Sequence, residues 1–203
     1  AMTRRPTLAH RVEYLLFRAA IAMGNLLGDR AAGALGAALG RLAWWPLGIR
    51  RRLVESQIRA SFPEKDDAWV RRTARAAYAH LGREGIAMLR VSALDREAVV
   101  GRTEVKGIDA FLDALGRGRG LVLVTGHFGT WEIGGAALAA RGVPLDVIAQ
   151  RQSNPLFDRD IVAARERLGL RVIDRGRAPK LALRALREGR VAAFVSDQDA
   201  RRS

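Results

Sequence analysis

From about residue 100 onward, four short apolar runs alternate with segments of helical periodicity. The runs are rich in Val, Ile and Leu and mostly lack the polar–apolar alternation of a half-exposed strand, which is typical of strands covered on both faces. They are LVLVT (121–125), LDVIA (145–149), RVI (171–173) and VAAFVS (191–196). The neighbouring segments predict helices at about 108–116, 131–141, 156–169 and 178–189. Strand–helix–strand repeats of this length predict an α/β fold, with a mostly parallel sheet flanked by helices.

The first half of the chain has a different pattern of apolar residues, which predicts helices without strands. Residues 53–92 have helical spacing, interrupted at Phe62-Pro63 and restarting near Asp66 and Asp67. We therefore expect two parts, a helical one over residues 1–99 and an α/β core over residues 100–203. The leading Ala1-Met2 resembles an expression scar before the natural start.

Residues 12–49 are unusually apolar for a surface segment. They contain two long apolar stretches, broken by Arg18, Asp29, Arg30 and Arg41, and end in Trp44-Trp45-Pro46 before an arginine run. A spanning helix needs about 20 apolar residues, and neither stretch is uninterrupted over that length. Tryptophans beside a cationic flank are typical of a membrane interface. We expect helices that lie on or dip into a membrane, with at most one span; a soluble helical hairpin packed on the rest of the chain is the alternative.

Charge and cysteine content narrow the classes of function. The formal net charge is +14, almost entirely from arginine, since lysine occurs only at positions 65, 106 and 180. Such a charge favours an anionic partner, whether nucleic acid, a phospholipid surface or a phosphorylated substrate, although a compositional bias toward arginine would give the same count. The absence of cysteine excludes disulfides, thiolate zinc sites and a cysteine nucleophile.

The segment LVLVTGHFGTWEIGG (121–135) places a rare histidine at the end of the first predicted strand. In open parallel sheets, ligands bind at the carboxyl ends of the strands. Gly126 and Gly129 permit a sharp turn, and Thr130 is a suitable N-cap for the helix that follows. A turn before that helix brings His127 and Glu132 within reach of each other, which five positions within one helix would not do.

A histidine paired with a carboxylate can act as a general base. The carboxylate holds one imidazole nitrogen, and the other nitrogen takes a proton from a hydroxyl, while backbone amides of the turn stabilise an oxyanion. The sequence has no GxSxG, and no serine lies beside His127, so the hydroxyl is expected to belong to a substrate. The alternative is a buried histidine bonded to the backbone of a turn.

Three segments, in order, resemble one family. GHFGTWE (126–132) resembles the HxxxxE motif of the lipid A biosynthesis acyltransferases, the lauroyl/myristoyl transferase family, which also includes enzymes that acylate other glycolipids. AQRQSNPLFD (149–158) resembles the family's element of an arginine followed shortly by Asn-Pro, and LREGRVAAFVSDQDA (186–200) resembles its turn, strand and Asp-Gln-Asp element. The resemblance covers about residues 100–203 and implies a glycerolipid-acyltransferase-like core with a membrane-associated helical N-terminus.

The resemblance implies an O-acyltransferase that moves a fatty acyl group from an acyl thioester to a hydroxyl of a phosphorylated glycolipid. By position, His127 would be the general base and Glu132 its partner, with Arg151, Asn154, Asp158 and Asp197 on the substrate side. Arg151 would bind anionic substrate, whereas Asn154 and Asp158 would fix the loop and Asp197 would shape the site. The expected partners are a membrane phospholipid surface, the glycolipid acceptor and acyl carrier protein or coenzyme A as donor. No cofactor is expected, and the expected location is the cytoplasmic face of the inner membrane.

Other interpretations remain open from the sequence. The acceptor could be a lipid A precursor, a phosphatidylinositol mannoside or another glycolipid. Asp197 and Asp199 form a DxD that could hold a divalent metal in a glycosyltransferase, although two carboxylates are a weak signal. Binding to nucleic acid is not expected, since no groove-reading element or aromatic stacking accompanies the arginines. The family usually continues past Asp-Gln-Asp, so we expect that this chain is truncated at its C-terminus.

Overall fold

The computed structural model describes residues 6–198, and the predictions for Asp199 and for Ala1-Met2 concern residues outside this range. The helices are α1 (Leu8–Leu26), α2 (Asp29–Trp44), α3 (Arg51–Ser61), α4 (Asp67–Val91), α5 (Arg96–Arg102), α6 (Ile108–Gly116), α7 (Trp131–Ala140), α8 (Pro155–Leu168) and α9 (Ala178–Arg187). The strands are β1 (Leu121–Thr125), β2 (Leu145–Ala149), β3 (Arg171–Asp174) and β4 (Val191–Val195). The predicted break at Phe62-Pro63 is confirmed, and the Asp66 carboxylate accepts a hydrogen bond from the Trp69 amide at 2.6 Å as α4 begins.

The four strands form one parallel sheet in the order β1-β4-β2-β3. The predicted α/β fold with a parallel sheet flanked by helices is therefore confirmed. The chain moves one way across the sheet from β1 to β3 and then returns to place β4 between β1 and β2. Right-handed crossovers put α7 and α8 on one face and α9 on the other. In agreement, α7 packs against α8, while α9 contacts β2, β3 and β4.

Small and branched apolar residues fill the core of this sheet. The most buried include Val99, Ala136, Leu145 and Val191, each no more than 1% exposed. The expectation that every strand is covered on both faces is wrong for β1. Val122 and Val124 on one face of β1 are 57% and 63% exposed, because β1 is an edge strand and α9 packs mainly on the other three strands.

The amino-terminal edge of the sheet is held by a buried carboxylate. Asp146 is fully buried at the start of β2 and pairs with the guanidinium groups of Arg171 and Arg190, whose Nε atoms lie 2.7 and 2.8 Å from its oxygens. Burying a carboxylate is tolerable when it is paired and hydrogen-bonded in this way. The amino-terminal edge therefore carries an ion pair that holds the sheet together, and ligands are expected at the opposite, carboxyl edge.

The described chain divides into two compact units, residues 6–19 with 91–198 and residues 20–90. The first unit contains the sheet and thus includes the beginning of α1. The second unit is helical. In residues 6–198, no helix combines the length and the apolar character needed to cross a membrane.

In the helical unit, α2 and α4 meet through glycines. A Cβ built on Gly36 would overlap the backbone at Gly82, and one built on Gly40 would overlap the carbonyl of Tyr78. The two backbones are therefore in direct contact at these positions, as small residues allow.

We expect Gly40→Ala to destabilise this unit by about 1–3 kcal/mol, because the new methyl group forces α2 away from α4. Gly33→Ala is the matched control, since a Cβ at Gly33 has no atom within 4 Å. That change should stabilise α2 by up to about 1 kcal/mol through helix propensity. Thermal unfolding followed by circular dichroism measures both variants, and equal midpoints would contradict the close contact.

Candidate functional site

The sheet order brings together the residues that follow β1 and β4. The two strands are neighbours in register, with Thr125 opposite Val195, and the Ser196 amide donates to the Thr125 carbonyl at 3.0 Å. Because the strands are parallel, both chains leave the sheet at its carboxyl edge. His127 and Asp197 therefore lie side by side, although they are 70 positions apart in the chain.

Asp197 contacts His127 through both carboxylate oxygens. Its Oδ1 lies 2.7 Å from Nδ1 of the imidazole, and its Oδ2 accepts the His127 backbone N–H at 2.9 Å. The Trp131 ring packs edge-on against the imidazole with 4.5 Å between ring centroids. The two side chains remain 29% and 32% exposed, so His127 is both oriented and accessible.

Gly126 makes this approach possible. A Cβ at position 126 would lie 3.2 Å from the carboxyl carbon of Asp197 and would overlap the Phe128 ring. Gly129 adopts a left-handed φ of 53° before α7 begins. Thr130 occupies the N-cap position as predicted, but its side chain does not make the capping hydrogen bond. Both glycines of the turn are thus needed for its shape.

The geometry determines which imidazole nitrogen is available for chemistry. With Asp197 charged, Nδ1 carries the proton and donates it to the carboxylate, which leaves the lone pair on Nε2. Among the described residues, none is hydrogen-bonded to Nε2. The pair thus has the arrangement of a general base held by a carboxylate.

His127 should control the ionisation of Asp197. Hydrogen bonds from the imidazole and then from the His127 backbone N–H lower the pKa of Asp197 below the usual aspartate value. The charged carboxylate therefore stabilises the fold fully at pH values above the usual aspartate pKa. This stabilisation is lost as the pH falls through the lowered pKa of Asp197. In a carbon-detected NMR titration, His127→Ala should raise the Asp197 midpoint toward normal. An unchanged midpoint would contradict the contact.

Glu132 is bound by a different partner. Its carboxylate accepts two hydrogen bonds from the Arg165 guanidinium, at 2.5 Å from Nε and 2.9 Å from Nη2. Burial opposes the charge on Arg165, but the bonds to Glu132 leave the pKa of Arg165 raised overall. Within residues 6–198, Glu132 and His127 are not hydrogen-bonded to each other. Glu132 is thus not the hydrogen-bond partner of His127 among the described residues, and its catalytic role stays a prediction.

The residues of the Asn-Pro element organise the loop between β2 and α8. Asn154 caps α8 by accepting the Leu156 amide at 3.0 Å, and the Asp158 carboxylate accepts the Gln152 amide at 2.9 Å. Arg151 is exposed and binds Asp174 with 2.6 Å between Nε and Oδ2. The Gly176 backbone N–H and then Arg151 lower the pKa of Asp174. Substrate binding by Arg151, Asn154 and Asp158 stays a prediction.

Asn154 also joins this loop to the first helix. Its side chain is 2% exposed, and its amide nitrogen donates to the His10 carbonyl at 2.9 Å and to Glu13 at 3.1 Å. Nearby, Phe17 packs on Phe157 with 4.6 Å between ring centroids. The start of α1 is therefore built into the α/β unit rather than separate from it.

A cleft of about 360 Å³ lies at the carboxyl ends of β2 and β3, against α8. Arg151, Asp158, Arg165 and Asp174 contribute to its lining, together with Gln150, Gln152 and apolar residues of α8. His127 and Asp197 are not among its lining residues in the described chain. The cleft thus extends from the Asn-Pro loop to Arg165, the partner of Glu132, and the described lining does not include the His127–Asp197 pair.

The described residues add no support for a metal site at the DxD of Asp197 and Asp199. Both oxygens of Asp197 face His127, and Asp199 is outside the described residues. Within residues 6–198, no group of three or more His, Asp or Glu side chains has an arrangement suited to a metal ion.

Comparison with known proteins agrees with the motifs. The model of the bacterial lipid A biosynthesis acyltransferase family matches residues 2–203. A phosphatidylinositol mannoside acyltransferase from Mycolicibacterium smegmatis is 31% identical over 136 residues, which cover 65% of this chain. The matched segment spans 44% of that relative's length.

Proposed function

Since the chain belongs to the bacterial lipid A biosynthesis acyltransferase family, we propose that the protein transfers a fatty acyl group from an acyl thioester to a hydroxyl of a glycolipid. The observation that supports this most directly is the His127–Asp197 pair at the carboxyl edge of the sheet, with Nε2 left for a substrate hydroxyl.

In the proposed reaction, Nε2 of His127 takes the proton of the acceptor hydroxyl as its oxygen attacks the thioester carbonyl. Asp197 stabilises the imidazolium that forms, without itself accepting the proton. The tetrahedral intermediate collapses by breaking its C–S bond, which yields the ester, and the imidazolium returns the proton to the departing thiolate. The acyl group thus moves from sulfur to oxygen with no covalent enzyme intermediate.

The proposed acceptor is a phosphorylated glycolipid. The relative named a phosphatidylinositol mannoside acyltransferase makes that lipid the first to test, and a lipid A precursor is the second. Arg151, on the loop beside the cleft, is the proposed contact for an anionic group, because a guanidinium suits phosphate. The donor is proposed to be acyl carrier protein or coenzyme A carrying the acyl chain.

We also propose that the protein works at the cytoplasmic face of the inner membrane. Its lipid substrates reside in a bilayer, and several apolar side chains of α1 face solvent. Leu8, Leu15 and Leu16 are 78%, 67% and 67% exposed, on a helix whose opposite side packs on α8. Such a helix has the character of an interfacial element.

The test incubates the protein with acyl carrier protein or coenzyme A thioesters and with each acceptor in turn, and detects acylated lipid by mass spectrometry. Acylation that depends on one acceptor supports the proposal and identifies the lipid. Sugar transfer from a nucleotide sugar that requires a divalent cation would instead support the DxD glycosyltransferase.

A further inference from the structure

The connection between α2 and α3 presents apolar side chains to solvent. Trp45, Leu47 and Ile49 are 65%, 67% and 53% exposed, and the last leucines of α2 are each 49% exposed. The last leucines of α2 are Leu39 and Leu42. We refer to Leu39, Leu42, Trp45, Leu47 and Ile49 together as the Trp45 surface. Large apolar side chains that are exposed within one short segment indicate a site of interaction.

The Trp45 surface is held in place by the backbone. The Leu47 amide donates to the Leu42 carbonyl at 3.2 Å, and the Ile49 amide donates to the Ala43 carbonyl at 2.9 Å. The hydroxyl of the buried Tyr78 donates to the Ile49 carbonyl. The connection therefore folds back on the last turn of α2 and is anchored to α4.

The leucines cannot turn inward, because the opposite side of α2 is occupied. Gly36 and Gly40 on that side contact the backbone of α4 so closely that a methyl group would not fit. The exposed leucines are thus a fixed consequence of the α2–α4 packing.

The two adjacent tryptophans have different environments. The Trp44 ring is covered by the guanidinium groups of Arg51 and Arg75, at 4.5 and 5.9 Å from its centroid. Nε of Arg51 also lies 2.7 Å from Oε1 of Glu55, so the charge of Arg51 is paired with a carboxylate of the same helix. Trp45 faces solvent, as an aromatic anchor at a membrane interface does.

Two cations lie next to the Trp45 surface. Arg50 and Arg52 are exposed, and in the described part of the chain neither has a carboxylate at salt-bridge distance. Apolar side chains bordered by unpaired arginines are complementary to a bilayer with anionic headgroups. A second copy packed face to face would bring the arginines of both copies together, which is unfavourable.

We propose that the Trp45 surface inserts into the interface of an anionic phospholipid bilayer, with Arg50 and Arg52 against the lipid phosphates. This inference rests on the proposed membrane association and specifies the surface that makes it. It is independent of the acyl transfer chemistry.

The absence of cysteine allows a direct test, because a single introduced thiol can be labelled. Leu47→Cys, carrying an environment-sensitive nitrobenzoxadiazole dye, is mixed with vesicles of equal parts phosphatidylcholine and phosphatidylglycerol. The emission should shift to the blue, and brominated acyl chains should quench it. Leu183→Cys on α9, where Leu183 is 57% exposed, is the matched control and should show neither effect. An unchanged signal at position 47, with or without vesicle binding, would overturn the proposal.

The cationic contribution is tested in the same vesicles by co-sedimentation. Replacing both Arg50 and Arg52 with glutamine should weaken binding roughly 30-fold, whereas Arg71→Gln with Arg72→Gln on α4 should change it less than about threefold. Equal losses would show a nonspecific effect of charge and overturn the specific surface. Self-association without lipid that Trp45→Ser abolishes would assign the surface to a second copy instead.

A final comparison separates docking from catalysis. Trp45→Ser with Leu47→Ser should keep acyl transfer to acceptor dispersed in detergent and lose most transfer to acceptor in vesicles. If no variant shows transfer but the dye at position 47 still inserts, the proposed reaction fails while the docking surface stands. Equal transfer to vesicle-bound acceptor in the variant and the unaltered protein would overturn the docking surface alone.

Discussion

Replacing His127 with alanine should lower the kcat of acyl transfer by about 10³- to 10⁴-fold, because the acceptor hydroxyl loses the base that removes its proton. The KM for the acceptor should change little, since the imidazole acts on the proton rather than holding the lipid. Initial rates with a radiolabelled acyl thioester measure both constants.

Two controls make this result specific. His80→Ala removes an exposed histidine of α4, whose side chain is 60% exposed, and should leave turnover unchanged. The thermal midpoint of His127→Ala should also stay close to that of the unaltered protein, because the side chain is partly exposed. Undiminished turnover in His127→Ala would refute the role of His127.

The carboxylate that supports His127 can be identified in the same assay. Asp197→Asn keeps the shape of the site but removes the charge that orients the imidazole and stabilises the imidazolium, so kcat should fall by roughly 10²- to 10⁴-fold. Asp197→Glu should retain part of the lost rate, because its carboxylate can still reach Nδ1. An asparagine variant with full activity would show that the 2.7 Å contact has no catalytic role.

Local sequence patterns predicted the elements of the α/β half closely. The runs at 121–125 and 145–149 are strands with those same bounds, and the predicted β3 and β4 differ by one residue each. Continuous apolar runs and glycines after helices are local signals, which explains this agreement. The exposed face of β1 was missed because its cause is the position of β1 at the sheet edge.

The pairing within the candidate site was harder to predict, because it depends on strand order. His127 and Asp197 meet since β4 inserts next to β1, and several orders are compatible with the same strand–helix repeats. Arg165 lies 33 positions from Glu132 and is one of many arginines in the chain, so composition did not distinguish it.

Glu132→Ala should destabilise the α/β unit by about 2–3 kcal/mol, because it leaves the guanidinium of Arg165 without its carboxylate. Both side chains are largely covered, 18% and 20% exposed, although this residual exposure keeps the cost below that of a fully buried pair. In a domain of this size the thermal midpoint should fall by roughly 4–12 °C.

A second substitution separates the structural from the catalytic role of Glu132. Glu132→Leu combined with Arg165→Met replaces the ion pair with apolar side chains of similar size, and it should recover most of the lost stability. We expect acyl transfer to recover with it, since the hydrogen bonds that the structure describes for Glu132 are to Arg165 and not to His127. Transfer that stays lost in a double variant of restored stability would place Glu132 at the reacting groups, as the HxxxxE spacing predicts.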